Sequence, residues 1–141
     1  MNDDEFLSWQ VYLRDVADML GLKDREITLQ RTWPEEENSF AEVFCTTETV
    51  QAVVRMHPTF FALDLEAQRR VVCHELIHLH LASVYEHVKW AIDHADASPL
   101  LAALPSLVLS DIEGVTDRLS YIVAPMVPLP YWSVGKGEHA P

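Results

Sequence analysis

Hydrophobic residues in the first half of the chain follow two different periods. Over residues 3–20 they recur every three or four positions, and Gly21 follows as a natural helix stop. Three strand-like runs come next, at residues 26–32, 40–47 and 49–56. The last two runs are so closely connected that an antiparallel hairpin is the simplest interpretation. The pattern predicts an amphipathic helix that covers a small, mostly antiparallel three-stranded sheet.

The second half of the chain has the pattern of helices. Asp64 is suited to cap a long helix over residues 65–90. Ser98-Pro99 marks the next helical start, and Pro105 is expected to interrupt that helix. The helix that follows the interruption is expected to end before Pro125.

Length and composition fit one small domain. A chain of 141 residues with 49% hydrophobic residues can bury a single core, and it leaves no room for a second domain of ordinary size. We expect the folded domain at residues 1–125. Residues 126–141 contain prolines and glycines and are expected to form an extended or mobile tail. The predicted fold class is therefore α+β, in a single domain.

Charge and hydropathy exclude some partners. The formal net charge of −12 argues against binding to nucleic acid or to an anionic membrane, because both require basic patches. A cationic peptide or partner stays open, although a well-solvated acidic surface is the simpler interpretation. The N-terminus lacks an apolar signal segment, and no apolar stretch approaches the length that spans a membrane. We therefore expect a cytoplasmic location.

The most informative stretch is the sequence HELIH. On a helix, His74 and His78 share one face and can bind one metal ion, while Glu75 lies one step round, within reach of a water molecule at the metal. Neutral imidazoles suit zinc, and a catalytic zinc site needs a third protein ligand and an open position. The alternative is a pair of hydrogen-bonded core histidines, with Glu75 in a salt bridge to Arg69 or Arg70. Because burial of three such groups without a metal is costly, the metal site is favoured.

A third ligand must come from elsewhere, and the best candidate is Glu113. Glu113 and Asp117 are four residues apart, so on a helix both carboxylates face the same side. One can bind the metal, and the other can accept the remaining ring N–H of a ligating histidine. Two alternatives stay open: Ser110 and Glu113 also fit a capping box, and Asp117 itself could be the ligand.

The other histidines of the long helix and both cysteines are not expected to bind the metal. Cys73 points about 100° away from its neighbour His74 on a helix. With Cys45 as the only other cysteine, a pair of reduced thiols is more consistent than a disulfide framework. His80, His87 and His94 recur every seven residues, about 10 Å apart on a helix, which is too far for one ion. A solvent-facing or packing role is therefore expected for them.

These motifs resemble a known group of peptidases. A His-Glu-x-x-His helix followed by a Glu-x-x-x-Asp helix is similar to the arrangement in gluzincins, the thermolysin-like zinc peptidases. Residues 113–125, EGVTDRLSYIVAP, resemble the helix that follows the zinc helix in small ImmA/IrrE-like metallopeptidases. The compact chain is also similar to the single-domain minigluzincins. The resemblance in architecture extends over residues 49–125, but only the two short motifs are specific to these peptidases.

The resemblance implies a zincin-like fold with one Zn²⁺ ion as cofactor. Carried over position by position, it implies His74, His78 and Glu113 as ligands, Glu75 as general base and Asp117 as support for a histidine. The implied reaction is hydrolysis of a peptide bond in a protein or peptide substrate. Zinc would polarise the carbonyl and acidify water, while Glu75 would take the proton and pass it to the departing amine. A partial likeness to the aspzincin pattern keeps Asp117 open as the third ligand.

The resemblance also implies how substrate binds. In zincin-type enzymes the strand beside the zinc helix forms one lip of the cleft, which implies residues 49–56 as an exposed edge that pairs with an extended peptide. The donor that stabilises the oxyanion is left open among four candidates, which are His57, Tyr85, Tyr121 and Tyr131. Glu138 and His139 could fold over the zinc as an inhibitory plug, although a free terminus is normally disordered.

Two other function classes stay open from the sequence. One is a zinc-bound domain that is retained for binding or assembly, for example in a phage or mobile-element particle, without hydrolysis. The other is a structural protein with no metal. Fold alone cannot separate the enzyme from the binding domain, because function lies in the site.

Overall fold

A computed structural model describes residues 2–34, 39–45, 50–94 and 99–130 of the chain. Within these ranges the main elements follow in the order α1 (Asp3–Met19), β1 (Glu26–Gln30), β2 (Ala41–Cys45), β3 (Gln51–Met56), α2 (Leu65–Asp93) and α3 (Pro99–Val123). Short 3₁₀ turns at Pro58–Ala62 and Ala124–Met126 precede α2 and follow α3. The described part of the chain is a small α+β domain, as the sequence predicts.

The sheet differs from the prediction in strand order and direction. The order is β1-β3-β2, with β3 parallel to β1 and antiparallel to β2. The predicted antiparallel pairing of the second and third strands is confirmed, but the sheet is mixed rather than mostly antiparallel. The expectation that residues 49–56 form an exposed edge is wrong, because β3 is hydrogen-bonded on both sides. The edge that remains next to α2 belongs to β2.

Helix α1 forms as the sequence pattern predicts. Asn2 caps its first turn by accepting a 2.8 Å hydrogen bond from the backbone of Glu5, whose carboxylate accepts one from the backbone of Asn2 in return. The apolar stripe faces the core, where Tyr12 and Leu13 are fully buried. Gly21, with φ at 80°, follows the helix in the left-handed conformation that glycine adopts without strain. The helix therefore covers the sheet with one face.

Helix α2 is the element on which the core is assembled. Asp64 caps it by accepting a 2.7 Å hydrogen bond from the backbone N–H of Ala67, as expected. The fully buried Val72 and Leu76 pack into the same core as the sheet and α1. Burial of a side chain of this size stabilises the fold by about 1.5–3 kcal/mol. The helix therefore holds the HELIH stretch against the hydrophobic core.

Helix α3 is continuous from Pro99 to Val123, so the expected interruption at Pro105 is wrong. Proline removes one hydrogen bond from the helical ladder, but its fixed φ is close to the helical value. Helices α2 and α3 run in opposite directions, since Arg70 lies over the Tyr121 ring while His78, further along α2, lies beside Glu113. The predicted end before residue 125 is confirmed.

The segment after α3 returns to the core. Tyr12 donates a 2.8 Å hydrogen bond to the carbonyl of Pro128, and Arg69 donates one of 2.9 Å to the carbonyl of Val127. Val127 is buried as well. The packed chain therefore extends to Pro130, and the remainder of the predicted tail, with Tyr131, Glu138 and His139, lies outside the described residues. Among the helices in the described ranges, none combines the length and apolar character needed to cross a bilayer.

Candidate metal centre

Helix α2 brings the two imidazoles of the HELIH stretch together. The Nε2 atoms of His74 and His78 lie 3.0 Å apart, and the ring centroids are 4.8 Å apart. This proximity follows from the four-residue spacing, which puts both side chains on one face of the helix. Both rings are partly buried, with 21% of each side chain exposed. Two nitrogen atoms therefore point at the same position in space.

Helix α3 contributes a carboxylate to that position. Glu113 Oε2 lies 3.5 Å from Nε2 of His74, and Oε1 lies 3.4 Å from Nε2 of His78. Bonds of 2.0–2.1 Å around a tetrahedral zinc ion would place neighbouring ligand atoms about 3.3 Å apart. The two Nε2 atoms, 3.0 Å apart, are close to this value, and each oxygen of Glu113 is close to it for one of the two nitrogens. Taken as one atom from each residue, the three potential ligand atoms lie within 4.8 Å of one another. His74, His78 and Glu113 form the one such group of potential ligands among the described residues.

The protonation state of His78 suits a metal. Burial lowers the pKa of His78 below its ordinary value, and nearby His74 lowers it further, while Glu113 acts in the opposite direction. A metal binds the neutral imidazole, so a lowered pKa keeps the ligand form populated at neutral pH. Two imidazole nitrogens and one carboxylate are the donor set that zinc takes in catalytic sites. The residues present therefore fit a zinc ion.

Asp117 lies next to the candidate ligand group. Its Oδ1 atom is 3.9 Å from Nδ1 of His74, the ring nitrogen that does not face Glu113. At this distance the two groups are close but not hydrogen-bonded. The capping-box alternative for Ser110 is wrong, since Ser110 and Glu113 both lie inside α3, which begins at Pro99. Glu113 therefore faces both imidazoles, and Asp117 faces the back of one.

The candidate ligands line a cleft of about 810 Å³ between α2, α3 and the sheet. One wall is formed by all five residues of β2, Ala41–Cys45, and the opposite walls include Ile112 of α3 and Ala82 of α2. The strand beside the candidate site is thus β2 and not β3. The local sequence pattern does not predict that β2 is the strand beside the site, because strand order depends on how the chain crosses the sheet.

Glu75 also lines the cleft, beside the candidate ligands. The 3.0 Å contact between the two Nε2 atoms also fits the hydrogen-bonded histidine pair of the metal-free alternative, and the two arginines of that alternative have described contacts. Arg69 forms an ion pair with Glu66 and donates to the Val127 carbonyl, and Arg70 lies over the Tyr121 ring at 4.6 Å. The cleft therefore contains a carboxylate next to the imidazole pair, in addition to the candidate ligand Glu113.

The four candidate oxyanion donors fall in different places. Tyr85 lines the cleft. His57 caps the first 3₁₀ turn by accepting from the backbone of Thr59, and Tyr121 contacts Arg70, both away from the cleft lining. Tyr131 lies outside the described residues. Of the described candidates, Tyr85 is the one that the fold brings to the cleft, about 10 Å along α2 from His78.

The remaining histidines and the cysteines have other environments. His80 pairs with the carbonyl of Leu20 at 2.9 Å, and the His94 ring stacks on Trp90. Both cysteines are free thiols. Burial raises the pKa of Cys73 to about 11 and also raises that of Cys45. Neither side chain has the depressed pKa of a metal-binding or nucleophilic thiol.

Comparisons with known proteins give no relative for this chain: no family model, curated protein or solved structure matches it. Function must therefore be inferred from the cleft and its residues.

Proposed function

We propose that the chain is a zinc-dependent metallopeptidase with a zincin-like fold of the gluzincin type. The observation that supports it most is that two imidazoles and one carboxylate converge in a cleft, with one potential ligand atom from each residue within 4.8 Å of the others. His74, His78 and Glu113 would hold the ion. A zinc ion in this position would act as a Lewis acid on the scissile carbonyl and acidify water.

Glu75 is the proposed general base. It is adjacent to His74 on α2 and lines the same cleft, so it is near the position where water would meet the substrate carbonyl. The carboxylate takes the proton from the attacking water and passes it to the amine that leaves. A proton transfer of this kind contributes about 10²–10⁴ in rate. Glu113 is committed to the ion, so the two cleft carboxylates have separate roles.

Asp117 is the proposed positioning residue for His74. Its carboxylate is 3.9 Å from Nδ1, and a small movement would let it accept the N–H of that nitrogen. The ring would then be held in the tautomer that leaves Nε2 free for the metal. Asp117 therefore acts through His74 rather than on the substrate.

The proposed substrate is an extended segment of a protein or peptide. The outer edge of β2 borders the cleft, and an edge strand can pair with an extended peptide through backbone hydrogen bonds. The peptide would lie between β2 and α2, with its scissile bond beside Glu75. The net charge of −12 argues against a nucleic-acid substrate.

The test is cleavage of a synthetic peptide library by the zinc-loaded protein, read by mass spectrometry. The Glu75→Gln variant should keep the zinc and the fold but lose cleavage by about 10²-fold or more. Glu86→Gln, which changes another carboxylate that lines the cleft, is the matched control and should retain activity. An unchanged rate in Glu75→Gln would refute the general-base role. Zinc binding without any cleavage would indicate a binding or assembly domain instead.

A further inference from the structure

The outward face of α3 carries a long apolar stripe. Its members are separated by three, four or eight residues and are between 39% and 75% exposed: Leu104, Leu107, Val115, Leu119, Ile122 and, in the 3₁₀ turn, Met126. At 100° per residue, the helical members fall within about 120° of one another. Together they expose on the order of 600 Å² of apolar surface, the upper end for a patch on a monomer. Such a face indicates an interaction surface.

The helical hairpin that carries the stripe extends beyond the core. The last buried side chain described in α2 is Ala82, and the first in α3 is Thr116. Between these two, no described side chain is buried, and apolar residues such as Val84 and Trp90 are exposed as well. A helix is stabilised mainly by packing of an apolar face. The described side chains in the outer part of the hairpin therefore have little packing from the core.

Two charged residues lie within the stripe. Asp111 and Arg118 are both exposed and fall on the same face of α3 as Leu107 and Ile122. They are seven residues apart, about 10 Å along the helix, which is beyond the spacing at which side chains of one helix pair. The pair Asp111 and Arg118 and the pair Leu107 and Ile122 share one midpoint, between Gly114 and Val115. A twofold axis at this midpoint would place each acid opposite the base of a second copy, and each leucine opposite its isoleucine.

We propose that α3 pairs antiparallel with α3 of a second copy of this chain, about a twofold axis near Gly114 and Val115. In this arrangement Asp111 faces the partner's Arg118, and Leu107 faces the partner's Ile122. Each contact occurs twice, as in every isologous interface. The two stripes together would bury on the order of 1,200 Å², the lower end for a specific interface.

The interface leaves the cleft open. Ile122 follows Glu113 by nine residues, so the two side chains lie on opposite sides of the helix. The dimer is therefore compatible with the proposed metal site, and it does not depend on that site. A second copy is favoured over an unrelated partner because the charge pattern of the stripe complements itself.

The first test is sedimentation velocity of the full chain at increasing concentration. The wild type should dimerise with a Kd below about 100 μM, which corresponds to a weak interface. Leu107→Glu and Ile122→Glu should each raise the dimer Kd about 100-fold or more, because each introduces two charges into the apolar contact. The control is Leu7→Glu, which alters a 60% exposed leucine on α1 and should leave the dimer unchanged. A monomeric wild type would overturn the proposal.

A charge exchange tests the symmetry directly. Asp111→Arg and Arg118→Asp should each raise the Kd about tenfold, because each replaces two attractive contacts by two repulsive ones. The two substitutions alter the net charge in opposite directions, so a shared loss cannot come from net charge. Mixing the two variants should restore a heterodimer, in which both contacts are attractive again. A mixture that associates no better than its components would refute the antiparallel register, and unchanged circular dichroism would confirm that the variants are folded.

Discussion

Asp117 lies 3.9 Å from Nδ1 of His74, while the Nε2 atom of the same ring lies 3.5 Å from Glu113. One imidazole thus meets two carboxylates that are four residues apart on α3. Their different positions give them different proposed roles. Glu113 also approaches His78, at 3.4 Å, and is the one that can share an ion with both rings.

Zinc affinity should separate the two carboxylates. Asp117→Ala should weaken zinc binding by about 10- to 100-fold, as loss of a histidine support does, and Glu113→Ala should weaken it more because a ligand is lost. Competition with a chromophoric chelator measures both constants. Asp111→Ala, on the same helix but away from the imidazoles, is the control and should keep the wild-type affinity. Equal, small losses in the first two variants would contradict the assignment.

The lowered pKa of His78 predicts how the stability of the metal-free protein depends on pH. Burial disfavours the imidazolium in the folded state, so below pH 6.5, the ordinary value, the unfolded chain binds more protons than the folded one. The contribution of His78 to the free energy of unfolding therefore falls as the pH decreases through 6.5. Urea unfolding between pH 8 and pH 5 measures it, and His78→Gln should show a weaker dependence. Identical pH profiles would contradict the lowered pKa.

The two thiols should differ in their reaction with alkylating agents. Cys73 is fully buried on α2 with its pKa raised to about 11, and Cys45 is half-buried at the cleft. Because the thiolate is the reactive form, Cys73 should stay unlabelled by iodoacetamide at pH 8 until the protein unfolds. Cys45 should react first, although slowly, because its pKa is also raised. Peptide mapping of the labelled protein reads the order, and early labelling of Cys73 would contradict the core position of α2.

The hydrogen bond from Tyr12 to the Pro128 carbonyl should contribute to stability. Tyr12→Phe removes this 2.8 Å bond while keeping the buried ring, and should lower the free energy of unfolding by about 1 kcal/mol. Tyr85→Phe, which alters a 44% exposed tyrosine, should change it by less than about 0.5 kcal/mol. Urea titration measures both variants. Equal effects would mean that the segment after α3 is not held by this bond.

The elements that local pattern determines could be predicted from the sequence. The apolar period of α1, the Asp64 cap and the tight connection between β2 and β3 each depend on residues close in the chain. The order of the strands does not depend on neighbouring residues. A strand such as β3 has the same local pattern at the edge of a sheet or in its centre, so the pattern does not predict that β3 lies between β1 and β2.

In the candidate site, too, local spacing predicts some features, and others depend on the fold. His74 and His78 could be paired from their spacing, because a helix fixes their relative position. Glu113 could be named from its four-residue spacing to Asp117 and from the resemblance, but its approach to the imidazoles depends on how α3 lies against α2. The role of β2 as a cleft wall could not be predicted, since it follows from strand order. Pro105 misled because the hydrogen bond that it removes was weighed without its fixed φ, which is close to the helical value.

The most direct test of the metal centre is elemental analysis of the protein purified without chelator and supplied with zinc. The wild-type chain should contain one zinc ion, and the His74→Ala/His78→Ala double variant should contain none while keeping its circular dichroism. A wild-type chain without zinc, or a double variant with as much zinc as the wild type, would contradict the proposed site.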